Sequence, residues 1–182
     1  MAATDINYDD HTFPDTDGLV LQTHDVQLSP EESAKYSDLL KFSNTKNCKV
    51  GIISVTGGQQ VENAIDMNRE CANISLGDVY LEEGHENALT IKGGCRDIYI
   101  DNLVIKPGTG HCDIELGNWS DQSKKKTTSV VIGKVSRTDG QPVRVRYGWA
   151  DKPVIHGGSV EWQTLQGLLI RLWVWARITF SP

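Results

Sequence analysis

Apolar and polar residues alternate along this chain in a pattern that returns every 24 or 25 residues. Its clearest copies are ENAIDMN at 62–68 and ENALTIK at 86–92. After each copy comes a Cys, with apolar residues at positions 3, 5, 8 and 10 beyond it. A period of two is typical of a half-buried β-strand, and Gly, Asn or Asp at the breaks indicates bends and turns. Each repeat therefore predicts a strand, a bend, a second strand, a turn and a third strand.

The third-strand segment recurs six times, which predicts a solenoid. Its apolar pairs are Leu40/Phe42, Ile65/Met67, Leu89/Ile91, Ile114/Leu116, Val145/Tyr147 and Ile170/Leu172. The one long step contains the polar residues 117–127, which we interpret as a loop insertion. A unit this short cannot bury its own apolar face, but stacked units can, with like residues about 4.8 Å apart. We therefore predict an all-β fold, a single-stranded parallel β-helix of about six coils over residues 19–180, after a tail or cap at 1–18.

Two further segments extend this prediction to the ends of the solenoid. Ser29 is a suitable N-cap for a helix with Pro30 at its first position, which predicts a short capping helix over Pro30–Tyr36. Near the other end, the template of the first two strands matches again. The matching positions are Ile155, Gly157, Val160 and Trp162.

This repeat resembles that of the pectin-lyase-like right-handed parallel β-helix superfamily, which includes polysaccharide lyases, glycoside hydrolases and phage tail spikes. The resemblance covers roughly residues 19–180. It implies right-handed coils, which is also the general preference of parallel crossovers. The rival fold is a left-handed hexapeptide helix, which needs an apolar residue at every sixth position, and the sequence lacks that period.

Stacking the third strands places their side chains in rows. Besides the apolar pairs, a third inward row is predicted, in which matched Asn side chains hydrogen-bond along the stack: Asn63, Asn87, Cys112 and Val143. The main outward row is predicted to hold Asp66, Thr90, Glu115, Arg146 and Arg171. Beside it runs a row of Ala64, Ala88, Asp113, Arg144 and Leu169.

The outward rows bring carboxylates beside guanidinium groups, Asp113 by Arg144 and Glu115 by Arg146. One interpretation is a pair of surface salt bridges, each worth at most about 1 kcal/mol. The other is a sugar-acid site, with these four residues as catalytic candidates. In that site Arg would bind a uronate carboxylate, and Asp or Glu would act as a base or as a ligand for calcium.

A binding site is predicted beside the same strands. Its candidates are Trp119 in the loop insertion, which could stack on a sugar, together with Asp66 and Lys92. Polysaccharide lyases of the resembled superfamily gather several acidic residues on one strand face for calcium, with a catalytic Arg nearby. Here Thr90 interrupts the acidic row, so we predict no cofactor, with calcium as the one exception that the carboxylates would suit.

The four cysteines lack CxxC spacing, so a zinc site is not predicted. Cys71 and Cys95 fall at the same coil position, one strand spacing apart, which is within disulfide range. We favour two stacked, inward-facing thiols over a disulfide, because no secretion signal is visible.

The net charge and the hydropathy of the chain limit the classes of partner that it could bind. The net charge of −6 argues against nucleic acid, which needs a basic face. No apolar run reaches the length of about 20 residues that a membrane span requires. The first residues show no signal peptide, so we expect a cytoplasmic or virion-associated protein.

The C-terminal segment 165–180 is apolar on both predicted faces, with Trp173 and Trp175 facing outward. An exposed solenoid end invites pairing, so we predict a homo-oligomer, for which a trimer is the precedent among phage spikes. The alternative is that the chain ends inside a longer protein.

Three functions follow. We favour a non-catalytic β-helix module, structural or polysaccharide-binding, of the kind found in phage tails or on cell surfaces. The alternatives are a small polysaccharide lyase or glycoside hydrolase acting on an acidic polysaccharide, and an oligomerisation module.

Overall fold

The computed structural model describes residues 12–29, 37–57, 61–117 and 125–163. Within these ranges the regular structure is β-strand throughout, and none of it is a helix that could span a membrane. The strands are β1 (Thr12–Pro14), β2 (Val20–Gln27), β3 (Asp38–Ser43), β4 (Lys46–Thr56), β5 (Asn63–Asn68), β6 (Ala72–Glu82), β7 (Asn87–Ile91), β8 (Arg96–Lys106), β9 (Ile114–Leu116), β10 (Thr128–Arg137), β11 (Val143–Tyr147), β12 (Val154–Gly157) and β13 (Val160–Gln163).

These strands form two parallel sheets. The first sheet has the order β1-β3-β5-β7-β9-β11-β13, and the second has the order β12-β10-β8-β6-β4-β2. Since the chain passes from one sheet to the other and back, each strand pairs with the strand one turn away. The result is a parallel β-solenoid of about five turns, which confirms the predicted β-helix. The predicted sixth third-strand segment and the predicted capping helix, Pro30–Tyr36, lie outside the described residues.

The second sheet differs from the prediction in one respect, because each long strand replaces two predicted strands. In β6 the alternation shifts at the predicted bend, so that Leu76 and Val79 are both buried. Gly77 lies at this shift, and a Cβ there would come within 2.2 Å of the carbonyl oxygen of Gly51 on the preceding turn. Close approach of two backbones explains why the repeat has glycine at this position.

The core lies between the two sheets and is built from ladders of like residues. Ile65, Leu89, Ile114 and Val145 stand in register in the first sheet, as predicted. The ladder also begins earlier than predicted, because β1 pairs with β3 inside the segment 1–18 that we expected to be a tail or cap.

The last described turn corrects the prediction. The template continued Ile155 and Gly157 directly into Val160 and Trp162, but the chain turns at Gly158, which has a φ of 105°. Val160 and Trp162 therefore belong to the first sheet, where they pair with Val143 and Val145. The reason is local, since a positive φ at glycine allows a tight turn in place of a continued strand.

Candidate functional site

The predicted outward row of the first sheet is formed in the predicted register. Asp66 pairs with Thr90, Thr90 with Glu115, and Glu115 with Arg146. The expectation of exposed surface pairs is wrong for their carboxylates, since Asp113 is fully buried and Glu115 is 5% exposed, and Asp66 in the same outward row as Glu115 is 1% exposed. Strand β7 is buried along its whole length. These polar side chains are therefore held in place by their neighbours and are largely shielded from solvent.

Buried amide, hydroxyl and carboxylate groups form a hydrogen-bonded chain across the first sheet, which we call the polar ladder: Asp38, Asn63, Asn87, Thr90 and Glu115. The Asn63 amide donates to Asp38 Oδ1 at 2.7 Å, and the Asn87 amide donates to Asn63 Oδ1 at 2.9 Å. Thr90 Oγ1 donates to Asn63 Oδ1 at 2.7 Å, and Asn87 Nδ2 also contacts Glu115 Oε2 at 3.3 Å. The predicted hydrogen bonding between matched Asn residues is thus confirmed.

The side on which these Asn side chains lie was predicted wrongly. Asn63 and Asn87 contact Thr90 and Glu115, and therefore share the outer face with them. The physical reason is a bulge in β7, where the amides of Ala88 and Leu89 both donate to the carbonyl of Asp113. The extra residue changes the face on which the preceding side chain lies, and the period of two does not reveal it.

Two ion pairs border the polar ladder. Lys92 Nζ lies 3.0 Å from Asp66 Oδ1, and Arg146 Nη2 lies 2.8 Å from Glu115 Oε1. Burial raises the pKa of Asp66, and the charge of Lys92 offsets only part of this effect. Burial alone would lower the pKa of Lys92, but the neighbouring Asp66 carboxylate outweighs it and raises that pKa. The predicted binding residues Asp66 and Lys92 are therefore direct partners.

A cavity of about 210 Å³ opens on the polar ladder. Every residue that lines it has a polar side chain: Glu62, Asn63, Glu86, Asn87, Thr90, Lys92 and Glu115. Glu62 is exposed and Glu86 half-buried, so carboxylates predominate at the mouth. The cavity offers a ligand fixed donors and acceptors, without an apolar or aromatic wall.

The other two catalytic candidates belong to a separate group, which we call the corner cluster: Glu83, Asp113, Arg137, Asp139 and Arg144. The Arg144 guanidinium bridges Asp113, at 2.9 Å, and Glu83, at 2.7 Å. Arg137 Nη1 donates to both oxygens of Asp113 at 3.0 Å. Hydrogen bonding to Asp113 raises the pKa of Arg144. The structure therefore divides the four predicted catalytic residues into two pairs with different neighbours.

Burial is strongest on the acidic side of the corner cluster. Asp113 and Glu83 are fully buried, and burial raises the pKa of Glu83 despite a hydrogen bond from the Gly108 amide. The exposed Asp139 behaves oppositely, because its hydrogen bonds with Arg137 lower its pKa to about 2. Since Asp113 is enclosed by two arginines, it holds the turns together and is not available to a ligand.

Sequence reasoning missed Glu83 and Arg137, although one signal was present. Arg137 pairs with Ile105, which pairs with Leu81, so it occupies the last apolar position of the template. A charged residue at a position that is apolar in neighbouring turns predicts a buried ion pair. Glu83 follows the end of β6, and the repeat carries no comparable signal for it.

The four thiols are free and buried. Cys71 and Cys95 donate to the carbonyls of Asn68 and Lys92, at 3.0 and 2.9 Å. This confirms the preference for stacked thiols over a disulfide. Burial raises the pKa of both Cys48 and Cys112 to about 12, which keeps these two thiols unreactive.

The remaining predicted site residues, Trp119, Trp173 and Trp175, lie outside the described residues, so the aromatic contact and the C-terminal interface stay predictions. In the four described ranges no group of three or more His, Cys, Asp or Glu is arranged to hold a metal ion.

Comparison with known proteins supplies no functional assignment, so any function must be argued from the fold and the site. No protein-family model, curated protein or solved structure matches this chain.

Proposed function

We propose that this protein is a non-catalytic β-helix module that binds a saccharide at the polar ladder, as a member of the pectin-lyase-like group that its repeat resembles. The observation that carries the proposal is the all-polar cavity of about 210 Å³ on the outer face of the first sheet. A sugar presents closely spaced hydroxyls, each of which donates and accepts hydrogen bonds. Amide, hydroxyl and carboxylate groups in the cavity wall are the complementary partners.

Preorganisation favours binding at this position. Asn63, Asn87 and Thr90 already hold one another through hydrogen bonds of 2.7 to 3.1 Å. These side chains therefore lose little conformational entropy when a ligand binds, which lowers the entropic cost of association. The cavity is smaller than a typical drug-sized site, so it suits one sugar unit of a longer chain.

The charge at the mouth selects among sugars. Glu62, Glu86 and Glu115 contribute three carboxylates, of which Glu115 is paired with Arg146, against the single ammonium of Lys92. Lys92 is itself paired with Asp66. A uronate would meet net repulsion here, so we infer that a neutral saccharide is the preferred ligand.

An enzyme acting on saccharides is the second candidate, and Asp66 is the observation that favours it. Its raised pKa suits a general acid, and Glu115 lies two strands away, about 9.6 Å at the usual strand spacing. Inverting glycosidases hold their two carboxyl groups about 6.5 to 9.5 Å apart. Asp66 is almost completely buried and is bound by Lys92 and Asn68, which favours binding over catalysis.

The test is a screen of neutral oligosaccharides, followed by calorimetry on wild type, Glu115→Gln and Glu86→Gln. Loss of a hydrogen bond to a charged group costs about 1.5 to 3 kcal/mol, so each variant should bind about tenfold more weakly or worse. The matched control is Glu70→Gln, which removes an exposed carboxylate that pairs with Lys125 away from the cavity. Circular dichroism checks that all variants keep the fold.

Two results would overturn the proposal. One is that no neutral saccharide binds, and the other is that both cavity variants bind as tightly as Glu70→Gln. A reducing-end assay on the same oligosaccharides separates binding from catalysis. Turnover that disappears in Asp66→Asn and in Glu115→Gln would replace the binding module by the enzyme.

A further inference from the structure

The outer face of the second sheet carries an exposed aromatic side chain among polar ones. Tyr80 on β6 is 52% exposed. Its row runs from Ser54 through Tyr80 and Val104 to Ser136, with one residue on each of four adjacent strands. Next to it runs a second row, in which Asp78 pairs with Asn102 and Asn102 with Lys134. We call the surface that these two rows form, with the adjoining Glu82 and Lys106, the tyrosine groove.

Two cavities lie side by side in the tyrosine groove and share the Tyr80 and Val104 side chains. The larger, of about 300 Å³, is mainly apolar and has Glu82 and Lys106 at its border. The smaller, of about 210 Å³, also contains Asp78, Asn102 and Lys134. The phenol ring of Tyr80 thus stands between an apolar depression and a charged one.

Most of the charges in the groove are already satisfied. Asp78 Oδ1 accepts from the Asn102 amide at 2.7 Å, and Lys106 pairs with Glu82 at 3.0 Å. Lys134 is different, because it is exposed and no carboxylate of the described residues lies within 4 Å of its ammonium group. Asp78 keeps its negative charge, because its partner is a neutral amide, but it lies two strands away from Lys134. The groove therefore offers an ammonium group without an ion-pair partner, in the cavity that also contains Tyr80.

We propose that the tyrosine groove binds an anionic saccharide unit, separately from the site on the first sheet. The C–H face of the sugar ring would pack on Tyr80, because an aromatic ring combines an apolar face with a polar hydroxyl. Its carboxylate or sulfate group pairs with Lys134, which supplies the charge complementarity. Ring hydroxyls meet Asn102 and Ser136, which lie on β8 and β10, one and two strands away from Tyr80.

The two sites take different classes of sugar. The polar ladder has carboxylates at its mouth and no aromatic wall, whereas the tyrosine groove has a ring and an unpaired cation. A chain of anionic sugars would therefore bind the second sheet and avoid the first. This inference goes beyond the proposed function, because it names another surface and another ligand class.

The experiment measures binding of a galacturonate oligomer, a sulfated oligosaccharide and a neutral dextran oligomer by calorimetry. Tyr80→Ala and Lys134→Ala should each weaken binding of the anionic oligomers about tenfold or more, while Lys134→Arg should retain it. Binding should also weaken with added salt, because the Lys134 pair is exposed. The galacturonate and sulfate arms show which anionic group the groove prefers.

The chain supplies matched controls on the same face. Tyr99 is 42% exposed on β8 and lies outside both cavities, so Tyr99→Ala should bind like wild type. Lys49→Ala is the corresponding control for charge, since Lys49 is exposed in the row of Tyr99. All four positions are on the surface, where substitutions usually change stability little.

The inference is overturned if no anionic oligomer binds, or if Tyr99→Ala weakens binding as much as Tyr80→Ala. It is also overturned if Tyr80→Ala changes the molecular mass in light scattering, because the groove would then be an interface between copies of the chain. Glu115→Gln separates this test from the earlier one. It should leave anionic binding unchanged even if the neutral site on the first sheet fails its own test.

Discussion

The outer faces of the two sheets are built on the same stacked backbone and have opposite characters. On the first sheet Asp66, Thr90 and Glu115 are buried and bound to one another or to Lys92, Asn87 and Arg146. On the second sheet Tyr80 and Lys134 are exposed, and the hydrogen bond that the Asn102 amide donates to Asp78 lies at the surface. The same repeat thus yields one closed polar face and one open face.

The comparison shows that the repeat period determines the row in which a side chain lies, but does not determine its solvent exposure. The first sheet has short strands, and residues from outside it reach its side chains, as Arg137 does at Asp113 and Glu83 does at Arg144. The second sheet has strands of up to 11 residues, and its outer rows project away from the turns. Charged groups should therefore matter for stability on the first sheet and for ligand contact on the second.

The sharpest test of this comparison is removal of the central carboxylate of the corner cluster. Asp113→Ala leaves Arg137 and Arg144 without their main partner, and breaking a buried pair costs about 3 to 5 kcal/mol. Urea unfolding followed by circular dichroism measures the loss. Asp139→Ala is the matched control, because it contacts the same Arg137 from a side chain that is 36% exposed. It should cost clearly less, because the attraction between charges at the surface is screened by solvent. Equal losses in the two variants would contradict the buried role of Asp113.

A smaller effect compares one amide on each face. Asn87→Ala removes a buried donor that serves Asn63, Thr90 and Glu115, so it should cost about 1 to 3 kcal/mol. Asn102→Ala removes an exposed amide that bonds across one strand spacing in the same way. It should change the free energy of unfolding by less than about 0.5 kcal/mol. If Asn102→Ala is the more damaging variant, the distinction between the faces fails.

The smallest expected effect is a change in how the free energy of unfolding varies with pH. The folded pKa of Glu83 is raised above its ordinary value of 4.5 by burial. Its stabilising contribution is therefore fully present below the unfolded pKa and is lost as pH rises through the folded pKa. Glu83→Gln should reduce the fall in unfolding free energy above pH 4.5. Asp66 adds a slope of the same sign, which should remain in the variant.

The control for this slope is Asp139, whose folded pKa is lowered from 3.8 to about 2. Its contribution is present above pH 3.8 and is lost as pH falls through about 2. Asp139→Asn should therefore change the slope of stability with pH only on the acid side, below pH 3.8, and leave the slope above pH 4.5 as it is in wild type, in the same urea series. An unchanged slope above pH 4.5 in Glu83→Gln would mean that the Glu83 carboxylate is not penalised by the fold.

Most of the fold could be predicted, and about half of the site. The strands, their parallel pairing and the neighbours Asp113/Arg144 and Glu115/Arg146 followed from the repeat, because stacked turns place equal positions together. The last turn could not be predicted, because Gly158 redirects Val160 and Trp162 to the other sheet. The bulge in β7 and the residues Glu83 and Arg137 break the repeat, and a repeat carries no information on its own exceptions.

The period, the ladders and their register follow from the amino-acid sequence alone, since apolar alternation and a constant step permit only stacked parallel turns. Which polar rows are buried was decided by tertiary contacts, because burial depends on what the turns bring against a face. Asp113 and Lys134 show both outcomes. Each is a charged residue at a predictable position on a neighbouring strand, yet one is enclosed by two arginines and the other remains exposed to solvent.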